Sequence, residues 1–245
     1  MPQFEFSARP PQSVGGLKVL DSPIWSALAH AHSSLALGND LARRYPADIG
    51  PLSALTEQSE AAYNALRDLA GNAAVVQFLP DPWQPRTGWS VVREGMMDQM
   101  LWTEEAHVQQ ELPATAALRE LTDEDSPAMV ALARLTEPGP FQSRTHTLGR
   151  FFGIFDSGVL VAMSGQRLHM PGFTEVSAVC THPTARGRGY SRVLIAQVMA
   201  DILSRHEQPM LHVFSANMGA IRVYRSLGFT CRRNLQLAVL KLNQD

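Results

Sequence analysis

The residues best equipped for chemistry in this chain form one loop, His182-Pro183-Thr184-Ala185-Arg186-Gly187-Arg188-Gly189-Tyr190-Ser191, set between a strand-like run and an amphipathic stretch. Glycines at such a junction let the backbone turn tightly and approach a ligand closely. The helix that follows offers unpaired N–H groups and the positive end of its dipole, which together hold a phosphate anion. A Walker loop needs Lys-Ser or Lys-Thr after its last glycine, and the chain has neither here. A dinucleotide fingerprint beginning at Gly187 and Gly189 needs a third glycine where Arg192 stands, and that side chain crowds helix against strand. Other reactive types are scattered. His30 and His32 lack a third ligand, so no metal site is expected. Cys180 and Cys231 have neither a disulfide-framework nor a zinc spacing, and no base accompanies either as it would a nucleophile.

Alternating strands and helices must position this loop. Ala117–Leu121 reads as a strand, and Thr122 before Asp123, Glu124 and Asp125 reads as an N-cap with acidic residues at the positive helix end. That helix continues through Leu135 and stops at Pro138-Gly139-Pro140. Arg150–Phe155 and Val159–Gly165, joined by Asp156-Ser157-Gly158, predict a hairpin. Thr174–Thr181 is a third strand leading into the loop. Ser191–Arg205 carries an apolar stripe of helical period, Met210–Phe214 is a buried strand, Ala220–Leu227 a short helix stopped by Gly228, and Leu235–Leu242 a last strand. The pattern predicts an α/β (α+β) fold with a mixed, mostly antiparallel sheet flanked by helices and one parallel step into Met210–Phe214. The polar stretch from Glu104 to Pro113 divides the chain into residues 1–112 and 113–245. The first part, with a helix at Ser59–Leu69 and strands at Ala73–Leu79 and Trp89–Val92, shows no catalytic spacing and reads as a smaller α/β unit packed on the second. Met96, Met97, Met100 and Trp102 read as core more readily than as pocket.

Arg186-Gly187-Arg188-Gly189-Tyr190-Ser191 resembles the R/Q-x-x-G-x-G/A pyrophosphate loop of the GNAT superfamily, the acyl-CoA-dependent N-acyltransferases, with Ser191 where a smaller residue is usual. The resemblance extends upstream to Val179-Cys180-Thr181-His182-Pro183. Downstream, Asn217, Ala220-Ile221, Val223-Tyr224 and Leu227-Gly228-Phe229 match the family's N-x-x-A-I-x-x-Y-x-x-x-G-F signature, so order and spacing agree over roughly residues 114–242.

The resemblance implies acetyl-CoA as co-substrate and no metal. The amides of Gly187 to Ser191 would accept the pyrophosphate, and Val179, Cys180 and Thr181 would pair with the pantetheine arm on a strand splayed from Met210–Phe214. Asn217 is carried over with the cofactor residues and caps its helix in either reading. Tyr224 takes the place of the phenol that protonates the leaving thiolate. Glu175 stands at the spacing where some branches keep a base carboxylate, and burial between apolar strands should raise its pKa. The implied activity is direct acetyl transfer to a primary amine of a small molecule. The alternative is a non-catalytic CoA-binding or interaction module. The layout resembles glycine N-acyltransferases, which suggests an amino acid acceptor and a first half that is a degenerate unit of the same kind.

Composition narrows the partners. The chain has 245 residues, 45% of them hydrophobic, which suffices for a core and argues against disorder. Its 21 Lys and Arg against 23 Asp and Glu leave no basic field for nucleic acid. No apolar run approaches the length of a membrane span, and Met1–Pro11 lacks the apolar centre of a signal peptide. These features, with unpaired cysteines, lead us to expect a cytoplasmic protein that binds neither nucleic acid nor membrane. Oligomeric state is not legible.

Overall fold

The computed structural model describes residues 3–6, 16–103, 105–109 and 112–243. The Met1–Pro11 stretch and the polar link at 104–113 therefore lie partly outside the described residues.

The chain forms β1 (Gln3–Phe6), α1 (Pro23–Ala29), β2 (Leu37–Gly38), β3 (Ala42–Arg44), β4 (Ser53–Leu55), α2 (Glu60–Ala70), β5 (Val75–Leu79), β6 (Trp89–Trp102) and β7 (Ala106–Gln109). It continues with β8 (Ala116–Leu121), α3 (Ser126–Thr136), β9 (Phe151–Asp156), β10 (Val159–Met170), β11 (Phe173–Thr181), α4 (Tyr190–Ser204), β12 (Gln208–Phe214), α5 (Met218–Arg225) and β13 (Phe229–Leu242). Local signals explain the boundaries. The Ser59 hydroxyl accepts from the Ala62 N–H at the start of α2, and Thr122 and Asp125 form a capping box before α3. Glu137 closes α3 in a left-handed conformation just before Pro138. The strands β6, β10 and β13 run longer than the sequence signal, because their polar residues pair with neighbours on the exposed parts of the sheet.

Eight strands form one sheet in the order β5-β13-β6-β12-β11-β10-β9-β8. Every adjacent pair is antiparallel except β11 with β12, which is the predicted parallel step. The helices α4 and α5 cover one face, with Val193, Leu194, Ile195, Val198, Met199, Ile202, Ile221 and Leu227 packed on Met100, Trp102, Leu211 and Phe229. On the other face α1 packs around Met97, Leu168, Phe173 and Met210, while α3 sits on Phe151, Met163 and Cys180.

One expectation changes. The first part of the chain is not simply a unit packed on the second: β5 and β6 lie within the main sheet, β6 between β12 and β13. It is paired over Met97–Leu101 on one side and Trp89–Trp102 on the other. Residue 112 therefore marks a change in sequence character and no gap between sheets. Two small sheets stand apart from the main one, one of β2, β3 and β4 and one in which β1 pairs antiparallel with β7. Met100 and Trp102 are core as expected, whereas Met96 is exposed.

Gly165 shows how tightly this sheet is built. A Cβ there would lie 2.3 Å from the Phe151 ring on β9. Gly165→Ala should therefore destabilise the protein by about 1–3 kcal/mol through overpacking, read as a lower midpoint in urea with an unchanged m-value.

Candidate functional site

Strands β11 and β12 are hydrogen-bonded neighbours only from Phe173 opposite Gln208 to Glu175 opposite Met210, and beyond Glu175 they part. A bulge helps to separate them. Ser177 to Cys180 on β11 faces Gly165 to Met163 on β10 with one residue to spare, and Ala178 takes a left-handed φ of 52°. The bulge shifts the alternation of side chains, so Val176 faces α4 while Cys180 faces α3. Through the gap runs a cavity of about 830 Å³. Val179, Cys180 and Thr181 line it from β11, and His212, Val213 and Phe214 from β12. Ser191 and Ile195 of α4, the α5 cap Asn217, and Ala220, Val223 and Tyr224 of α5 line its walls on one face of the sheet. On the other face lie the 133–141 segment and Leu52, Val76, Phe78, Arg93 and Met97, all five from the part of the chain that showed no catalytic spacing.

The predicted loop enters α4 as expected. Gly187 and Gly189 have φ of 79° and 74°, a region in which a side chain is strained. No heavy atom lies within 4 Å of the position a Cβ would occupy at Gly187. Among the described residues, the N–H groups from Gly187 to Ser191 find no acceptor, and Gly189 caps the helix without a side-chain bond. Arg186 lines the cavity and donates from Nε to the Thr181 carbonyl at 3.3 Å. Arg188 is tied to Asp156 at 2.9 Å and Tyr190 is buried, and neither side chain is among those that line the cavity. Cys180 likewise offers only its backbone, because its side chain is core and burial pushes the thiol up to about 11. Asn217 caps α5 by accepting from Ala220 N–H at 3.1 Å while its side of the helix start borders the cavity. A loop of free amides opening on a splayed strand fits a pyrophosphate with an extended arm.

Tyr224 reaches the cavity from α5. It is nearly buried, sits edge-on to Phe229, and borders the cavity. Burial, reinforced by the charge of Glu175, pushes its phenol up to about 12, so it is protonated throughout the neutral range.

Glu175 departs from expectation. Its carboxylate is fully buried and accepts two hydrogen bonds from Arg167, at 2.8 and 2.6 Å, and one from His212 Nδ1 at 2.7 Å. Burial, the largest single influence, would raise its pKa, but the charges and hydrogen bonds of Arg167 and His212 together outweigh it and hold the group below the usual carboxylate range. The predicted upward shift is thus corrected: partners on the neighbouring strands, not the apolar setting, decide the sign. His212 is equally committed. Gln99 donates from Nε2 to Leu20 O at 2.8 Å and to His212 Nε2 at 3.1 Å, and accepts from Arg232, which leaves the histidine proton on Nδ1 facing Glu175. Glu175 therefore ties Arg167 and His212 together at the cavity wall and is not itself among the residues that line the cavity.

The sequence reading missed Arg167, His212, Phe78, Arg93 and Phe214. A histidine inside the otherwise apolar Met210–Phe214, one strand away from Glu175, was the available signal. His32, set aside as a metal ligand, bonds Tyr45 and the Leu148 carbonyl, and no group of metal-binding side chains occurs among the described residues.

Residues 151–237 match the family described as FR47-like protein. A crystal structure assigned to the GNAT family of acetyltransferases, from Novosphingobium aromaticivorans DSM 12444, is 35% identical and covers 92% of this chain and 99% of its own, with a TM-score of 0.82. A GCN5-related N-acetyltransferase from Kribbella flavida shares the fold at 17% identity and a TM-score of 0.60, over 90% of this chain and 96% of its own. Mycothiol acetyltransferase of Thermobispora bispora is 37% identical over 87 residues, which are 33% of this chain and 30% of that protein, so the alignment spans under a third of this curated relative. Together with the amide loop, the splayed strands and the phenol between them, these likenesses place the chain in the GNAT family, acyl-CoA-dependent N-acyltransferases whose co-substrate is acetyl-CoA.

Proposed function

We propose that this protein transfers an acetyl group from acetyl-CoA directly to the primary amine of a small molecule. The observation that carries the reading is the cavity through the β11–β12 gap, which joins the amide loop on one side to an apolar chamber on the other, with Tyr224 at the passage. A bound thioester supplies the electrophilic carbonyl and a thiolate leaving group. The amides of Gly187–Ser191 hold the diphosphate, and the edge of Val179–Thr181 aligns the arm. The Tyr224 hydroxyl donates its proton to the departing sulfur. With Glu175 and His212 both engaged, the amine sheds its proton to water in the open cavity before attack. A cavity of this size, and the likeness to mycothiol acetyltransferases over the 87 matched residues, support a small-molecule acceptor.

The test is thiol release from acetyl-CoA across a panel of amines. Release with at least one small amine is expected. Tight CoA binding with no release for any amine would favour a non-catalytic CoA-binding module. Gly189→Val should weaken CoA binding by about tenfold or more, since a β-branched residue in the left-handed region costs roughly 1–2 kcal/mol and its side chain intrudes on the amides. Calorimetry with CoA measures this, and an unchanged Kd would discredit the loop.

A further inference from the structure

The end of the cavity away from α4 and α5 is built for a particular kind of acceptor. Its walls are Leu52, Val76, Phe78, Met97, Leu237 and Val239, an apolar chamber. Among the described residues that line the cavity the only carboxylate is Glu137, which closes α3 three residues after Arg134. Arg186 belongs to the amide loop, and the charge of Arg167 is cancelled by Glu175. Arg93 stands apart from these, at the mouth of the apolar chamber. Arg93 projects from β6 over the ring of Phe214, 5.7 Å from its centroid, and no carboxylate among the described residues pairs with it. Gly95, two residues along the same strand, leaves the room that this ring occupies, because a Cβ there would lie 3.0 Å from it. Phe214 and Arg93 thus form a seat at the chamber mouth, an aromatic face topped by an uncompensated guanidinium. Arg167 adds Nη1, the one of its nitrogens that Glu175 does not engage.

Resting on the acetyl-transfer reading, we propose that the acceptor is an amine with an apolar body and an anionic group, an apolar amino carboxylate, whose carboxylate is received by Arg93. An amine must be neutral to attack, so a cationic group cannot serve to orient it. A carboxylate supplies that handle, and a guanidinium binds it with charge-assisted hydrogen bonds.

The test has a readout that does not depend on turnover. In the presence of CoA, N-acetyl-L-phenylalanine is titrated against N-acetyl-L-phenylalaninamide, which differs only in the negative charge. The carboxylate should bind about tenfold tighter at low salt, the lower end for a charged hydrogen bond because Arg93 is exposed. Arg93→Gln should erase that difference and Arg93→Lys should retain part of it, with thermal midpoints checked to confirm that both variants fold. Equal binding of the two compounds to the unmodified protein, or a difference that survives Arg93→Gln, overturns the proposal. If the carboxylate preference holds but no amine releases thiol, the acetyl-transfer reading fails and the anionic seat stands.

Discussion

Tyr224→Phe is expected to lower turnover by about 100-fold, the usual contribution of a positioned general acid, while the Kd for CoA stays within a factor of two to three. The ring remains, so packing on Phe229 and the cavity wall persist and only the proton is lost. The pH profile separates this role from a structural one. Because the phenol titrates near pH 12, the acid is present at every practical pH. Glu175, held ionised by Arg167, adds no limb near neutrality. The unmodified enzyme should therefore show kcat/KM rising with pH along the titration of the amine substrate, with no fall before about pH 11. In the variant the same rise should appear at a uniformly lower level. A variant retaining full turnover, or an alkaline fall near pH 8 in the unmodified protein, would remove Tyr224 from the mechanism.

The second large effect is on stability. Glu175→Gln leaves the Arg167 guanidinium without its counter-charge inside the sheet, and breaking a buried pair in this way costs about 3–5 kcal/mol. For a chain of this size the melting temperature should fall by roughly 10 °C. A residue serving only as a catalytic base would lose activity with little change in melting. The pH dependence follows from the same pair. The carboxyl titrates lower in the folded protein than the 4.5 of a free glutamate, so its stabilisation is complete above that value and is lost as pH falls through and below it. Thermal unfolding between pH 3 and 7 should show a steeper acid decline in the unmodified protein than in Glu175→Gln. Parallel curves would show that the ion pair contributes nothing.

The loop, the parallel step and the helix after it were legible in the sequence because local rules determine them. Glycine at positive φ, an uncapped helix start and the 3.6-residue period act over a few residues. The spacing of Asn217 and Tyr224 also predicted a cap and a short helix, and the structure sets both residues beside the cavity. What the sequence concealed depends on pairing across long distances. The sign of the Glu175 shift is decided by Arg167, eight residues away through a hairpin, and by His212 on the adjoining strand. The chamber wall is concealed for the same reason, since Leu52, Val76, Phe78, Arg93 and Met97 reach it only because β5 and β6 join the sheet. No periodicity within residues 1–112 reports that destination. The charged Arg93 and Glu94 even shorten the apparent strand at Trp89–Val92.

The position of β6 also bears on how the chain is made. A ribosome releases Trp89–Trp102 long before either of its flanking partners, Gln208–Phe214 and Phe229–Leu242, has been synthesised. During that interval both hydrogen-bonding rims of the strand are bare, a condition that invites pairing with a neighbouring nascent chain. Arg93, Glu94 and Asp98 interrupt its apolar run and discourage such encounters, so the charge that conceals this strand also protects it while it waits.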